Sequence, residues 1–136
     1  MHRVRLSIFL VSLFCAAAAA SRSVWDGVYT KEQAARGESA YQQECFKCHG
    51  ENLSGGEAAP ALAGEDFLQK WNGKSAGDLF GTMRKTMPPE DPGSLSSRQY
   101  ADIAAYILRG NQFPAGPKEL EREIAVLNEI RIEVKR

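Results

Sequence analysis

Along residues 96–110 the apolar positions Tyr100, Ile103, Ala104, Ile107 and Leu108 recur at steps of three and four, the spacing of a helix that buries one face. Ser96 stands three residues before Gln99, a capping-box start, and Gly110-Asn111 supplies a stop. Ala34, Ala35, Ala40 and Tyr41 form a second stripe, opened by Thr30 with Gln33 and running to about Cys45. Gly37 interrupts it at a cost of about 1 kcal/mol relative to alanine, which points either to another element packing closely there or to a harmless surface glycine. A short helix is expected over Asp66–Trp71, and Ser75 with Asp78 opens a further one carrying Leu79, Phe80 and Met83. That helix ends before Met87-Pro88-Pro89. Residues 50–64, 72–74 and 86–95 read as loops with few large apolar side chains. Residues 21–29 read as an extended lead-in. From Pro117 the tail predicts a helical stretch bearing Leu120, Ile124 and Leu127, then a short strand in which Ile130, Ile132 and Val134 alternate. The pattern is all-α, with four to five short helices and long loops. Its core is thin, and something other than side chains is expected to fill the middle.

Composition narrows the picture. With 136 residues, 43% hydrophobic and 25% charged, the chain has the make-up of one globular domain. Seventeen basic residues balance seventeen acidic ones, so the positive surplus of a nucleic-acid binder is missing. Residues 1–20 combine Arg3 and Arg5, a largely apolar run from Leu6 to Ala20, and small residues before Ser21. This is the pattern of a secretory signal peptide cut after Ala20, and it places the mature protein in the periplasm. The run falls short of the roughly 20 residues that span a bilayer, so a retained anchor is the less favoured alternative. A lipoprotein would use Cys15, where Phe14 occupies the position expected to be small. Without the leader, every thiol and every imidazole of the protein lies between Cys45 and His49.

Those residues read Cys45-Phe46-Lys47-Cys48-His49, a C-x-x-C-H motif. Two thiols one helical turn apart reach the two vinyl groups of one haem, and the next imidazole rises beneath the iron. A zinc site would need a fourth ligand from a carboxylate. A thiol–disulfide exchange site would sit at a helix N-terminus, whereas this pair follows a helix. Haem attachment through Cys45 and Cys48, with His49 as a metal ligand, is the expectation. No second histidine remains for the other axial position. Met87, in a loop before Pro88, is the favoured sixth ligand. Met83, a lysine, water or an open position remain alternatives. Histidine–methionine ligation raises the reduction potential, which suits an electron carrier. Trp71 is either a core aromatic or a ring packed on the haem with its indole N–H near a propionate. Lys47, Arg84 and Lys85 are either solvated or a local positive rim.

Over roughly residues 30–112 the chain resembles the class I c-type cytochromes. The resemblance is carried by Gly37 and Tyr41, Cys45-Phe46-Lys47-Cys48-His49-Gly50, Pro60-Ala61-Leu62, Met87-Pro88 and Tyr106. It implies a small cytochrome c-like fold wrapped around one covalently bound haem c. Residues 113–136 lie outside the family pattern and are expected to form an extension packing on that domain. The resemblance also implies a crossing of the first and last helices where Gly37 meets Tyr106. It implies too that the Pro60 carbonyl orients the other nitrogen of His49. The run from Thr86 to Ser96 is similar to cytochromes that accept electrons from quinoprotein dehydrogenases. The implied function is a periplasmic monohaem carrier, acting as a monomer, that passes single electrons from a dehydrogenase to the respiratory chain. Its partners are then redox proteins, an upstream dehydrogenase and a downstream oxidase or cytochrome. No catalytic acid–base pair or triad stands out, so no enzyme is expected. The alternatives are a five-coordinate haem protein acting as peroxidase or gas sensor, and a thiol–disulfide oxidoreductase.

Overall fold

The computed structural model describes residues 21–134. The expected leader and its cleavage site lie outside the described residues. Four helices carry the fold: α1 (Lys31–Glu44), α3 (Glu65–Trp71), α4 (Ala76–Thr86) and α5 (Ser97–Gly110). Two single turns, α2 (Phe46–His49) and α6 (Ile124–Leu127), and two short strands, β1 (Arg22–Ser23) and β2 (Ile130–Arg131), complete it. This is the small all-α architecture that the periodicity predicts.

Helix starts follow the capping chemistry. Ser96 and Gln99 close a reciprocal box, as do Ser75 and Asp78. The Asp78 carboxylate accepts from the Ser75 amide at 2.8 Å and the Ser75 hydroxyl at 2.9 Å. These bonds, the amide first, hold its carboxyl below the usual carboxylate range. A depressed carboxyl stabilises the fold above its unfolded value and loses that contribution as pH falls through its folded value. Asp78→Asn is therefore expected to flatten the acid limb of stability. The gap between denaturation midpoints at about pH 6 and about pH 3 should narrow against the parent.

The central contact is between α1 and α5. Gly37 makes it possible, because a Cβ there would overlap the backbone carbonyl of Asp102. The atoms nearest to such a Cβ belong to the α5 backbone, at Asp102 and Ile103. The Tyr106 ring lies 5.1 Å from that of Tyr41. The crossing is also locked electrostatically. Buried Asp102 receives Arg36 Nε and Nη2, each at 3.0 Å, and Arg36 Nη2 reaches Glu119 at 2.7 Å. Tyr100, Ile103, Ala104, Ile107 and Leu108 are all buried along α5.

Three local expectations are corrected. The lead-in is not simply extended: Ser23 caps a 3-10 turn over Val24–Asp26, and Val24, Val28 and Tyr29 are core residues. Gln33 does not close a box with Thr30. The Thr30 hydroxyl does accept from the Gln33 amide, at 3.1 Å. The buried Gln33 side chain turns away to the tail, donating to Leu120 O at 3.0 Å and accepting from Leu120 N at 2.6 Å. The tail is accordingly not helical from Pro117; only Ile124–Leu127 makes a turn. Its backbone finds partners elsewhere in the fold, which removes the need for an intrahelical ladder.

Those partners tie both ends of the described chain together. β1 pairs in parallel with β2, in the register Arg22 to Ile130. Trp25 Nε1 donates to Glu133 O at 2.9 Å, Tyr29 Oη to Phe113 O at 2.6 Å, and Ile132 N to Lys74 O at 2.8 Å. Ile130 and Ile132 are fully buried while Val134 is exposed, so the tail adds apolar mass to the thin core.

Candidate functional site

Helix α1 ends at Cys45, whose amide donates to Tyr41 O at 2.8 Å. The Cys45 carbonyl then accepts from Cys48 N at 3.2 Å and His49 N at 3.0 Å. That pair of bonds winds the single turn α2. Residues three apart on such a turn share a face, so the thiols of Cys45 and Cys48 are neighbours. Both are half-buried and unpaired. Burial pushes the Cys45 thiol up to about 11, and the adjacent Glu44 carboxylate adds to this. A thiol so placed stays protonated near neutral pH, the opposite of the depressed thiol of an exchange site.

His49 is buried, and its Nδ1 lies 2.8 Å from the carbonyl oxygen of Pro60. With Nδ1 donating there, Nε2 carries the free lone pair. A ring held in this way by a carbonyl is oriented as metal-binding histidines usually are.

The loop that brings Pro60 to His49 is itself fastened. Gly55 N donates to His49 O at 2.7 Å, and Leu62 N to Leu53 O at 2.8 Å. Gly55 has φ +72°, and a Cβ there would meet the Pro60 carbonyl carbon at 2.7 Å, so only glycine fits. The loop contributes one large core side chain, Leu53. It packs over Gly110, where a Cβ would overlap Leu53 Cδ1. A side chain at Gly110 would therefore displace the tip of Leu53; the left-handed residue beyond the helix is Gln112, with φ +64°. Asn111, expected only as a helix stop, is buried and holds the far side of the loop. Its Nδ2 donates to Leu62 O at 2.9 Å, and its Oδ1 accepts from Gly64 N at 3.0 Å.

The two methionines part company. Met83 packs against the hydrophobic core from within α4. Met87 is half-buried, follows the last residue of α4, and donates its amide to Met83 O at 2.8 Å. Its carbonyl accepts from the hydroxyl of Tyr100 at 2.7 Å. That hydroxyl was invisible in the apolar stripe of α5, where Tyr100 reads as one more core aromatic. Trp71 ends α3, buried 6.1 Å from the Phe67 ring with Lys74 Nζ 4.9 Å above its own ring. Lys47, Arg84 and Lys85 are exposed.

Hydrogen bonds and one turn of backbone therefore bring together Cys45, Cys48, His49 and Pro60. Met87 and Trp71 come from the ends of other helices. Two unpaired thiols beside an imidazole with one nitrogen free form a donor set that suits a haem. Among the described residues no group of three or more His, Cys, Asp or Glu side chains is disposed to hold a metal ion.

The family described as cytochrome C oxidase, cbb3-type, subunit III, matches residues 32–107 of the chain. Among curated proteins, the Cbb3-type cytochrome c oxidase subunit FixP of Sinorhizobium medicae (strain WSM419) is 30% identical over 98 residues. The match covers 63% of this chain and 33% of that relative, so the chain spans about a third of the relative's length. No solved structure matches the chain.

Proposed function

The chain belongs to the family of cytochrome c oxidase, cbb3-type, subunit III, and from that premise we propose that it is a periplasmic single-electron carrier attached to haem through Cys45 and Cys48. Membership makes it a c-type cytochrome, an electron-transfer protein with covalently attached haem c and not an enzyme. The observation that carries the finer reading is the Cys45–His49 turn, with His49 Nδ1 tied 2.8 Å from Pro60 O.

When bound, the haem iron supplies a one-electron ferrous–ferric couple. The protein's own groups prepare for that couple. Cys45 and Cys48 offer two thiols for thioether bonds. His49 presents Nε2 as the proximal donor, and the Pro60 carbonyl, accepting from Nδ1, fixes the ring and raises its basicity. Met87 would offer a soft thioether to the same iron, a donor that favours the reduced metal and raises the potential. Trp71, buried beside Phe67, is proposed to pack on the porphyrin. Were His49 and Met87 both to hold the iron, little rearrangement would accompany a change of its charge.

The proposed partners are redox proteins at both ends. The curated relative is named as an oxidase subunit, which supports electrons leaving toward a terminal oxidase. The run from Thr86 to Ser96 supports a quinoprotein dehydrogenase as donor. Among the described residues no helix is long and apolar enough to cross a membrane.

The test is spectroscopic. Purified from a host with cytochrome-maturation machinery, the protein is expected to have the mass of its chain plus one haem. Its ferrous spectrum should be low-spin and indifferent to carbon monoxide. A high-spin spectrum that shifts with carbon monoxide would establish an open site and a peroxidase or sensor instead. A bare chain with two titratable thiols would establish thiol–disulfide chemistry.

A further inference from the structure

We propose that Tyr100 is the positioning residue for the loop that carries Met87, its hydroxyl latching that loop to α5. The inference rests on the reading of Met87 as the sulfur donor to the iron.

Met87 is the first residue beyond α4, and the chain after it has little to hold it. Residues 89–94 are all exposed. Their own bonds are local turns, Asp91 N to Pro88 O at 3.0 Å and Ser94 N to Asp91 O at 3.2 Å. Among the described residues, Tyr100 supplies the one side-chain hydrogen bond that reaches segment 87–95 from outside it, to Met87 O at 2.7 Å. The other donor to that carbonyl is the amide of Gly93, at 3.3 Å and from within the loop.

Tyr100 is well placed to act as the fixed point. It lies in the first turns of α5, behind the Ser96–Gln99 capping box. It is 1% exposed, and its ring stands edge-on to that of fully buried Phe80, centroids 6.3 Å apart. Packing therefore fixes the direction of the hydroxyl before the loop is considered. The Met87 amide is anchored to α4 through Met83 O and its carbonyl to α5 through Tyr100. The backbone of the donor is thus pinned between two helices, and the swing of its side chain starts from a fixed base. Removing the hydroxyl leaves the carbonyl with the longer bond alone, and opening of the loop becomes easier.

Imidazole added to the ferric holoprotein reports that opening, because it binds only where the sulfur has left. Tyr100→Phe is expected to keep the sulfur-to-iron absorption band and to bind imidazole about tenfold more tightly than the parent, the scale set by one lost buried hydrogen bond. Tyr29→Phe is the matched control. It removes another buried hydroxyl, bonded to Phe113 O at 2.6 Å, in a part of the core that does not carry the loop. It should lower the denaturation midpoint while leaving imidazole affinity at the parental value. Imidazole affinity of Tyr100→Phe within about twofold of the parent, or an equal rise in Tyr29→Phe, overturns the latch. Met87→Ala separates this from the reading beneath it. If that variant keeps the sulfur band, the ligand assignment falls and the latch with it. If the band is lost and Tyr100→Phe still matches the parent, the latch alone falls.

Discussion

Gly37→Ala is expected to abolish accumulation of folded protein, or to lower stability by about 4 kcal/mol or more, the range reserved for gross steric conflict. The added methyl would overlap a backbone carbonyl, that of Asp102. No rotamer change can move that atom away. Relief would require α1 and α5 to separate, and their contact is the largest between any two elements. Separation would also break the bidentate Arg36–Asp102 pair and leave a buried carboxylate without its partner, a large penalty in its own right. The same substitution at Gly81 in α4, where a Cβ meets nothing within 4 Å, should be neutral or stabilising by about 0.5 kcal/mol. Denaturant midpoints of the two variants separate a steric requirement from an ordinary helix-propensity cost, which predicts gains of similar size at both sites.

Met87→Ala is expected to abolish the sulfur-to-iron band and to lower the reduction potential, leaving the helical fold in place. The reason is that Met87 contributes little to the core, standing half-buried beyond the end of α4. Met83→Ala should do the reverse. Met83, though half-buried itself, packs against the core, so its truncation should cost about 1 kcal/mol and leave the band intact. Absorption spectra and denaturation curves of both variants supply the four readings. Loss of the band in Met83→Ala with retention in Met87→Ala would exchange the roles of the two residues.

The starts of α1, α4 and α5 were legible because the signals lie within a few residues of one another. Thr30, Ser75 and Ser96 each accept from the amide three residues on. The turn that carries the C-x-x-C-H motif was legible for the same reason. Cys45, Cys48 and His49 occupy one turn, so their mutual arrangement follows from local geometry once a helix precedes them. The tail was misread because its apolar residues suit a helix or a strand equally well. What chose between them was Gln33, 87 residues away from Leu120 in sequence, which captured the backbone groups a helix would have used.

The chemistry-bearing turn, the helix boundaries and the all-α class belong to the sequence alone, since each depends on neighbours a few bonds apart. The meaning of Gly37, Asn111 and Tyr100 belongs to the tertiary structure. A glycine in a helix, an amide after one and a hydroxyl on a buried ring each have several uses. Only the approach of a second segment, Asp102, the loop at Leu62 or the carbonyl of Met87, selects among them. That approach is set by how the whole core closes, a property no short window of residues contains.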